Sequence, residues 1–303
     1  MKWVILSLVA FSSLVVHDAF ATHLVAQQTV QTGSDVAERQ RFLSETKIEE
    51  LRASRRRLDA ATVLATNHKS NLTNVAVNTY PGYLFDNVKC VLAPETTQEF
   101  FYVSGKLYRQ DITENETGIS LTTELQFIDV NTCTAISNLW IDFWHSNAAG
   151  VYSELVGSNA GESSEASNVD TTFLRGLVQT DSYGLASFKS IFPGHYAGRA
   201  PHIDVLARYD GTFENNNTYS GGSTVHSGEI FFDQDLIAEV EGTDAYASNA
   251  QNLTLNTDDE GLLEAAASSF DPIVEYALLG DTVQDGVFAW ISIGVDLTAS
   301  NGR

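Results

Sequence analysis

Tyr196, Arg199, His202 and Asp204 fall within nine residues of one another, in Phe192-Pro193-Gly194-His195-Tyr196-Ala197-Gly198-Arg199-Ala200-Pro201 and the adjoining His202-Ile203-Asp204. In a β-strand, positions two apart point to the same side, so His202 and Asp204 face one cavity while Ile203 faces the packed interior. Tyr196 stands on a loop bounded by proline and glycine, and Arg199 lies three residues before the histidine. A phenol, an imidazole, a carboxylate and a guanidinium at this spacing can hold a hard transition metal beside an anionic ligand. The same groups can equally form a solvated strand edge. Spacing alone leaves both readings standing.

The flanking sequence narrows the choice. Phe173-Leu174-Arg175-Gly176, Thr180-Asp181-Ser182-Tyr183-Gly184, Phe188 and the run from Ile191 to Val205 resemble the intradiol ring-cleavage dioxygenases, most nearly their secreted, extracellular branch. Upstream, Glu95-Thr96, Phe101-Tyr102-Val103-Ser104-Gly105 and Arg109-Gln110-Asp111-Ile112 continue the pattern. Cys133, Trp144-His145, Gly150-Val151-Tyr152-Ser153 and His226-Ser227-Gly228-Glu229-Ile230-Phe231-Phe232 complete it, so the likeness runs in order from Cys90 to Leu297.

The resemblance implies a non-haem Fe(III) site that opens catechol-type rings between the two hydroxyl-bearing carbons, inserting both atoms of O2. Carried over residue by residue, it puts metal ligands at Tyr152, Tyr196 and His202, and the family's second ligand histidine at the position of Asp204. It puts the family's active-site arginine at Arg199 and aligns its glutamine near the reacting ring with Glu229. Two positions therefore depart from the pattern, and both departures add a carboxylate. Phenolate oxygens suit a ferric ion, which holds them deprotonated well below their usual pKa of about 10. Arg199 would stabilise negative charge building on the substrate. Asp204 is shorter than histidine, so it is expected to reach a metal through a strand shift or through water. Two readings follow: a secreted intradiol-type dioxygenase acting on a catechol-type substrate with O2, or a catalytically degenerate secreted binding protein on the same fold.

These residues need rigid elements to position them. Glu99–Ser104, Thr122–Val130, Leu139–Trp144, Ala186–Ile191 and His202–Tyr209 alternate apolar and polar residues over strand length, with turn residues such as Gly105, Gly150 and Gly184 between them. Gly286–Val295 reads as a last strand closing the sheet, and Gln234–Val240 and Asp259–Ala267 as short helices. The expected fold is mainly β: a β-sandwich of the intradiol dioxygenase type over residues 86–303. Gly157–Asn168, rich in Ser, Gly, Glu and Ala, reads as a mobile surface loop. Arg175 reads as a tie within the fold and His145 as a packed strand residue. His195 could line the pocket or fix its loop, and His226 is the substitute ligand if Asp204 fails.

The N-terminal residues read differently. Lys2, the apolar stretch Trp3–Val16 and Ala19-Phe20-Ala21 form a signal peptide over residues 1–21, so the chain is expected to be secreted and extracellular. Residues 22–85 read as an N-terminal helical arm, with Phe42, Ile48, Leu51 and Leu58 at near-helical spacing. Arg55-Arg56-Arg57 leaves a propeptide as the alternative. Export suits a single Cys90–Cys133 disulfide, the natural pairing of two cysteines in an oxidising compartment. Sequons for glycosylation stand at Asn71, Asn115, Asn216 and Asn252. Beyond residue 70 the chain carries eight basic and thirty-two acidic residues, a surface that repels nucleic acid and anionic lipid. Neither nucleic acid nor membrane is an expected partner.

Overall fold

The computed structural model describes residues 60–76, 79–85, 90–96 and 101–298. The expected signal peptide, the expected arm up to residue 59 and Arg55-Arg56-Arg57 lie outside the described residues. The strands are β1 (Ser120–Asp129), β2 (Thr134–Ala135), β3 (Trp140–Trp144), β4 (Arg175–Gln179), β5 (Leu185–Ile191), β6 (His202–Phe213), β7 (Tyr219–Phe231), β8 (Glu275–Leu278) and β9 (Val287–Val295). The short helices are α1 (Pro81–Leu84), α2 (Gln234–Glu241) and α3 (Glu260–Ala266). No helix of the described residues is long and apolar enough to cross a membrane.

Two sheets form. The larger runs β2-β1-β9-β8 with β5 also paired to β1, and the smaller runs β4-β3-β6-β7. Period-2 alternation turns Ile203, Val205 and Ala207 of β6, with Ile141 and Phe143 of β3, toward Leu125 and Phe127 of β1 and Ala289 and Ile291 of β9. One continuous core therefore joins the sheets, and the chain is a β-sandwich, as expected. Residues 60–65 are helical and pack Ala60 and Val63 against Leu262 and Ala266 of α3.

Three elements differ from the sequence reading. The described part of Glu99–Ser104 is turn and irregular backbone, because Arg175 Nη1 donates to the Phe101 carbonyl at 2.8 Å and draws it onto the site. β9 does not close its sheet. It lies between β1, with which it is parallel, and β8, and is buried along almost its whole length, as strands with both faces covered are. β6 also runs past Tyr209 to Phe213, where a turn at residues 215–217 with Asn217 at φ 67° returns the chain into β7.

Cys90 and Cys133 form a disulfide with Cα atoms 5.6 Å apart. It ties the segment before Leu92 to the turn between β1 and β2, on the large sheet, and not to the loop that carries Tyr152. Asn71, Asn115, Asn216 and Asn252 are all exposed, with Asn216 and Asn252 outside the strands and helices.

Candidate metal centre

The smaller sheet presents its outer face to the site. Register pairs Trp144 of β3 with Asp204 of β6, and Asp204 with Glu229 of β7, so these three share a row. His202 and Asp204 stand on the same face of β6, opposite the core-facing Ile203. Two loops bring tyrosines over this face. One, after β3, carries Tyr152; the other, before β6, carries Tyr196. They are laced together where Asn147 Oδ1 accepts from the backbone of Ala149 and Val151 and the Gly194 amide donates to the Asn147 carbonyl. Gly150 at φ 74° is required there, since a Cβ would come 2.0 Å from the His195 carbonyl oxygen.

Tyr152, Tyr196, His202 and Asp204 converge. Both phenol oxygens lie 3.4 Å from His202 Nε2, and the Tyr152 hydroxyl donates to Asp204 Oδ2 at 2.9 Å. Asp204 thus reaches the donor cluster with its strand in regular register. His202 Nδ1 donates to the Ala200 carbonyl at 2.6 Å, so the neutral ring keeps its lone pair on Nε2, facing the phenols. All four side chains are buried. Phe101 packs on both tyrosine rings, with centroids 4.5 Å from Tyr152 and 5.7 Å from Tyr196.

Burial sets the protonation states. It pushes the Tyr152 hydroxyl well above the usual phenol range, with Asp204 adding to the shift, and raises Tyr196 for the same two reasons. Burial also raises Asp204, reinforced by Glu229, and lowers His202, reinforced by Arg199. Without a cation, burial favours the neutral form of each of these groups. A hard cation favours the ionised oxygens instead, and every oxygen donor here is hard. The residues fit a ferric ion.

Arg199 is more constrained than the sequence reading supposed. Its Nη1 and Nη2 donate to the two Glu229 oxygens at 3.1 and 2.5 Å, and its Nε donates to Asp259 Oδ2 at 3.0 Å. Burial works against its charge, but these carboxylates outweigh it and hold the guanidinium firmly protonated. Asp259 is fully buried, also accepts from the Ala200 amide at 2.7 Å, and caps α3 through the Leu262 amide. Sequence reasoning missed its contact with Arg199, although an aspartate opening a short helix is a recognisable cap.

Other expectations resolve clearly. The Gly157–Asn168 segment is built into the site: Tyr152 N donates to the Gly161 carbonyl, and the Asn168 side chain donates to the carbonyls of Tyr152 and Leu155. Arg175 ties the fold as expected, donating to Ser153 and Phe101, and also lies 5.8 Å from the Tyr152 ring centroid. His145 is packed, with Nδ1 donating to the Ser146 carbonyl. His195 fixes its loop through Glu241 and Gln251. His226 is no substitute ligand: it pairs in register with core-facing Ala207 and bonds Glu95.

No protein-family profile matches the sequence, and no curated protein does. Solved structures do match. An intradiol ring-cleavage dioxygenase from Tetranychus urticae superimposes with a TM-score of 0.57 at 23% identity, covering 70% of this chain and 98% of the other. A second dioxygenase crystal structure superimposes with a TM-score of 0.58 at 22% identity, covering 71% of this chain and 98% of the other. At this level of identity the likeness establishes a shared fold.

Proposed function

We propose that this chain is a secreted, intradiol-type dioxygenase that opens a catechol-type ring with O2 at a non-haem ferric site. The observation that carries the reading is the convergence of two buried phenols, a lone-pair imidazole nitrogen and a carboxylate oxygen on one point, on a fold shared with an intradiol ring-cleavage dioxygenase. Tyr152, Tyr196, His202 and Asp204 would hold the ion. Bound there, ferric iron would supply Lewis acidity and accept electron density from a chelated catecholate.

The protein's own residues do the rest. Ala200 fixes the His202 tautomer, and Asp204 Oδ2 already accepts from the Tyr152 hydroxyl, so it is the nearest acceptor for the phenolic proton. Phe101, Trp144 and Leu206 pack around the tyrosines and exclude water. Arg199, partly exposed between Glu229 and Asp259, would meet an anionic ring oxygen of the substrate.

Ferric reconstitution tests the reading. The protein should take up about one iron and develop a visible tyrosinate-to-iron band, and catechol with O2 should yield a muconate-type diacid. Protein that stays colourless and iron-free sinks it. A second reading, a secreted binding protein that has lost turnover, is favoured by one observation: Glu229 and Asp259 already engage Arg199 on both sides. Iron uptake with no ring opening of any catechol would select that reading.

A further inference from the structure

Glu229 has two possible partners, and only one is engaged. It stands directly across from Asp204 on the neighbouring strand. One donor atom from each of His202, Asp204 and Glu229 lies within 4.8 Å of the others. Atoms bound to one first-row ion at about 2.0–2.2 Å stand roughly 3–4 Å apart, so a side-chain rotation closes the difference. Yet both Glu229 oxygens are turned to the Arg199 guanidinium. Arg199 does not depend on Glu229 alone, because Asp259 holds its Nε and is itself fixed by the Ala200 and Leu262 amides.

We infer that Glu229 is a swing carboxylate, shared between Arg199 and a metal ion held at His202 and Asp204. With the ion present, Glu229 turns to it, and Arg199, still balanced by Asp259, is freed to meet an anionic substrate oxygen. This rests on the ferric reading above and extends it to a ligand that the tyrosine and histidine pattern does not include. Hard carboxylate oxygen suits a ferric ion, so Glu229 has a second partner there besides the guanidinium. The pair also has room to part. A Cβ on Gly261 of α3 would lie 2.6 Å from Arg199 Nη2 and 3.0 Å from Glu229 Oε2, so the glycine leaves these tips unobstructed. Because Arg199 and the ion compete for one carboxylate, loosening the first grip must tighten the second by linkage.

The test is ferric titration of the stripped, full-length secreted protein against a competing chelator, followed by the tyrosinate band. Glu229→Gln should weaken iron about 10–100-fold. It should also move the band to longer wavelength, because a neutral amide leaves the iron more electron-poor. Arg199→Gln should instead bind iron more tightly than wild type, by about tenfold, and the double variant should follow Glu229→Gln. A purely structural pair predicts the opposite sign for Arg199→Gln, with iron loosened, and that result would overturn the inference. Should Arg199→Gln fail to fold with Asp259 left uncompensated, Arg199→Lys keeps the charge without the two-pronged grip and carries the same expectation. Wild-type affinity and an unshifted band in Glu229→Gln overturn the swing while leaving the metal site standing. A wild type that takes up no ferric iron removes the ferric reading itself, and the swing with it.

Discussion

The outer faces of the two sheets each bury a carboxylate, and only one of them has the makings of a site. On the small sheet Asp204 is met by the Tyr152 hydroxyl and stands within metal-sharing reach of His202 and Glu229. On the large sheet Glu124 is equally buried, paired in register with Ser187 and Trp290. Its Oε1 accepts a long 3.3 Å bond from Ser187, and its Oε2 has no partner among the described residues. Burial raises both acids, and it carries Glu124 up to about 7. The large-sheet side has empty volume too, with cavities of about 450 Å³ beside Trp290 and beside Glu124. Neither volume nor a shifted carboxylate distinguishes the small-sheet face. Donors aimed at one point do.

The largest expected effect breaks that convergence. His202→Ala removes the nitrogen on which both phenols close, and iron uptake should fall by more than the roughly 100-fold that loss of an outer-shell partner can cost. Glu124→Ala, an equally buried change on the other sheet, should leave iron uptake untouched. Metal analysis of both variants after ferric reconstitution checks the pair, and equal losses would mean that folding, not ligation, is being read. Next comes the Cys90–Cys133 bridge, whose ends are 43 residues apart. Cys133→Ser should cost about 4 kcal/mol of unfolding free energy. Because the bridge ties the β1–β2 turn of the large sheet, iron affinity measured below the melting transition should not change.

Much of the small-sheet face was legible because strand periodicity is local. The parity of His202 and Asp204 needs only the two-residue repeat, and the structure keeps it. Tyr152 was different: nothing in its own neighbourhood marks a ligand, and only a resemblance reached it. What stayed hidden is what the chain assembles across long separations. Asp259 is sixty residues from Arg199, and its cap signal says nothing about the guanidinium it meets. Phe101 looked like part of a strand, yet Arg175 pulls its carbonyl out of any ladder. The interior place of β9 was more nearly readable. Val287–Val295 is almost entirely apolar, the pattern of a strand covered on both faces and not of an edge.

A pH-dependent tie stands away from the metal donors, at His68. His68 Nδ1 bonds Asp233 at 2.6 Å and Nε2 bonds Asp271 at 3.0 Å, joining the end of the N-terminal segment to the entry of α2 and to the turn before β8. Burial opposes the imidazolium, but the two carboxylates outweigh it and raise His68 to about 9. The folded pKa lies above the unfolded 6.5, so the stabilisation is fully present below pH 6.5 and is lost as pH rises through about 9. Its size should be about 2 kcal/mol, allowing for a partner half open to water. Chemical denaturation at pH 6 and pH 9.5 should show this loss in wild type and a smaller one in His68→Gln. An unchanged slope in the variant would remove His68 as the cause.

The smallest effect tests Glu124 as a buried acid with nothing to do. Its folded pKa of about 7 exceeds the ordinary 4.5, because burial disfavours the carboxylate and Ser187 compensates only in part. Folded protein therefore holds this proton where unfolded chain has released it. Stability falls as pH rises from about 4.5 to about 7 and stays reduced above that. Glu124→Gln abolishes the ionisation and keeps the shape, so it should stabilise the protein at pH 8 by about 1 kcal/mol. At pH 4.5 it should be close to neutral. The same isosteric change at Asp204, Asp204→Asn, should stabilise the metal-free protein but weaken ferric binding about 10–100-fold. Melting curves at the two pH values, with ferric titration alongside, separate the two carboxylates. If Glu124→Gln weakens iron as Asp204→Asn does, the two faces are coupled through the core and the contrast between them fails.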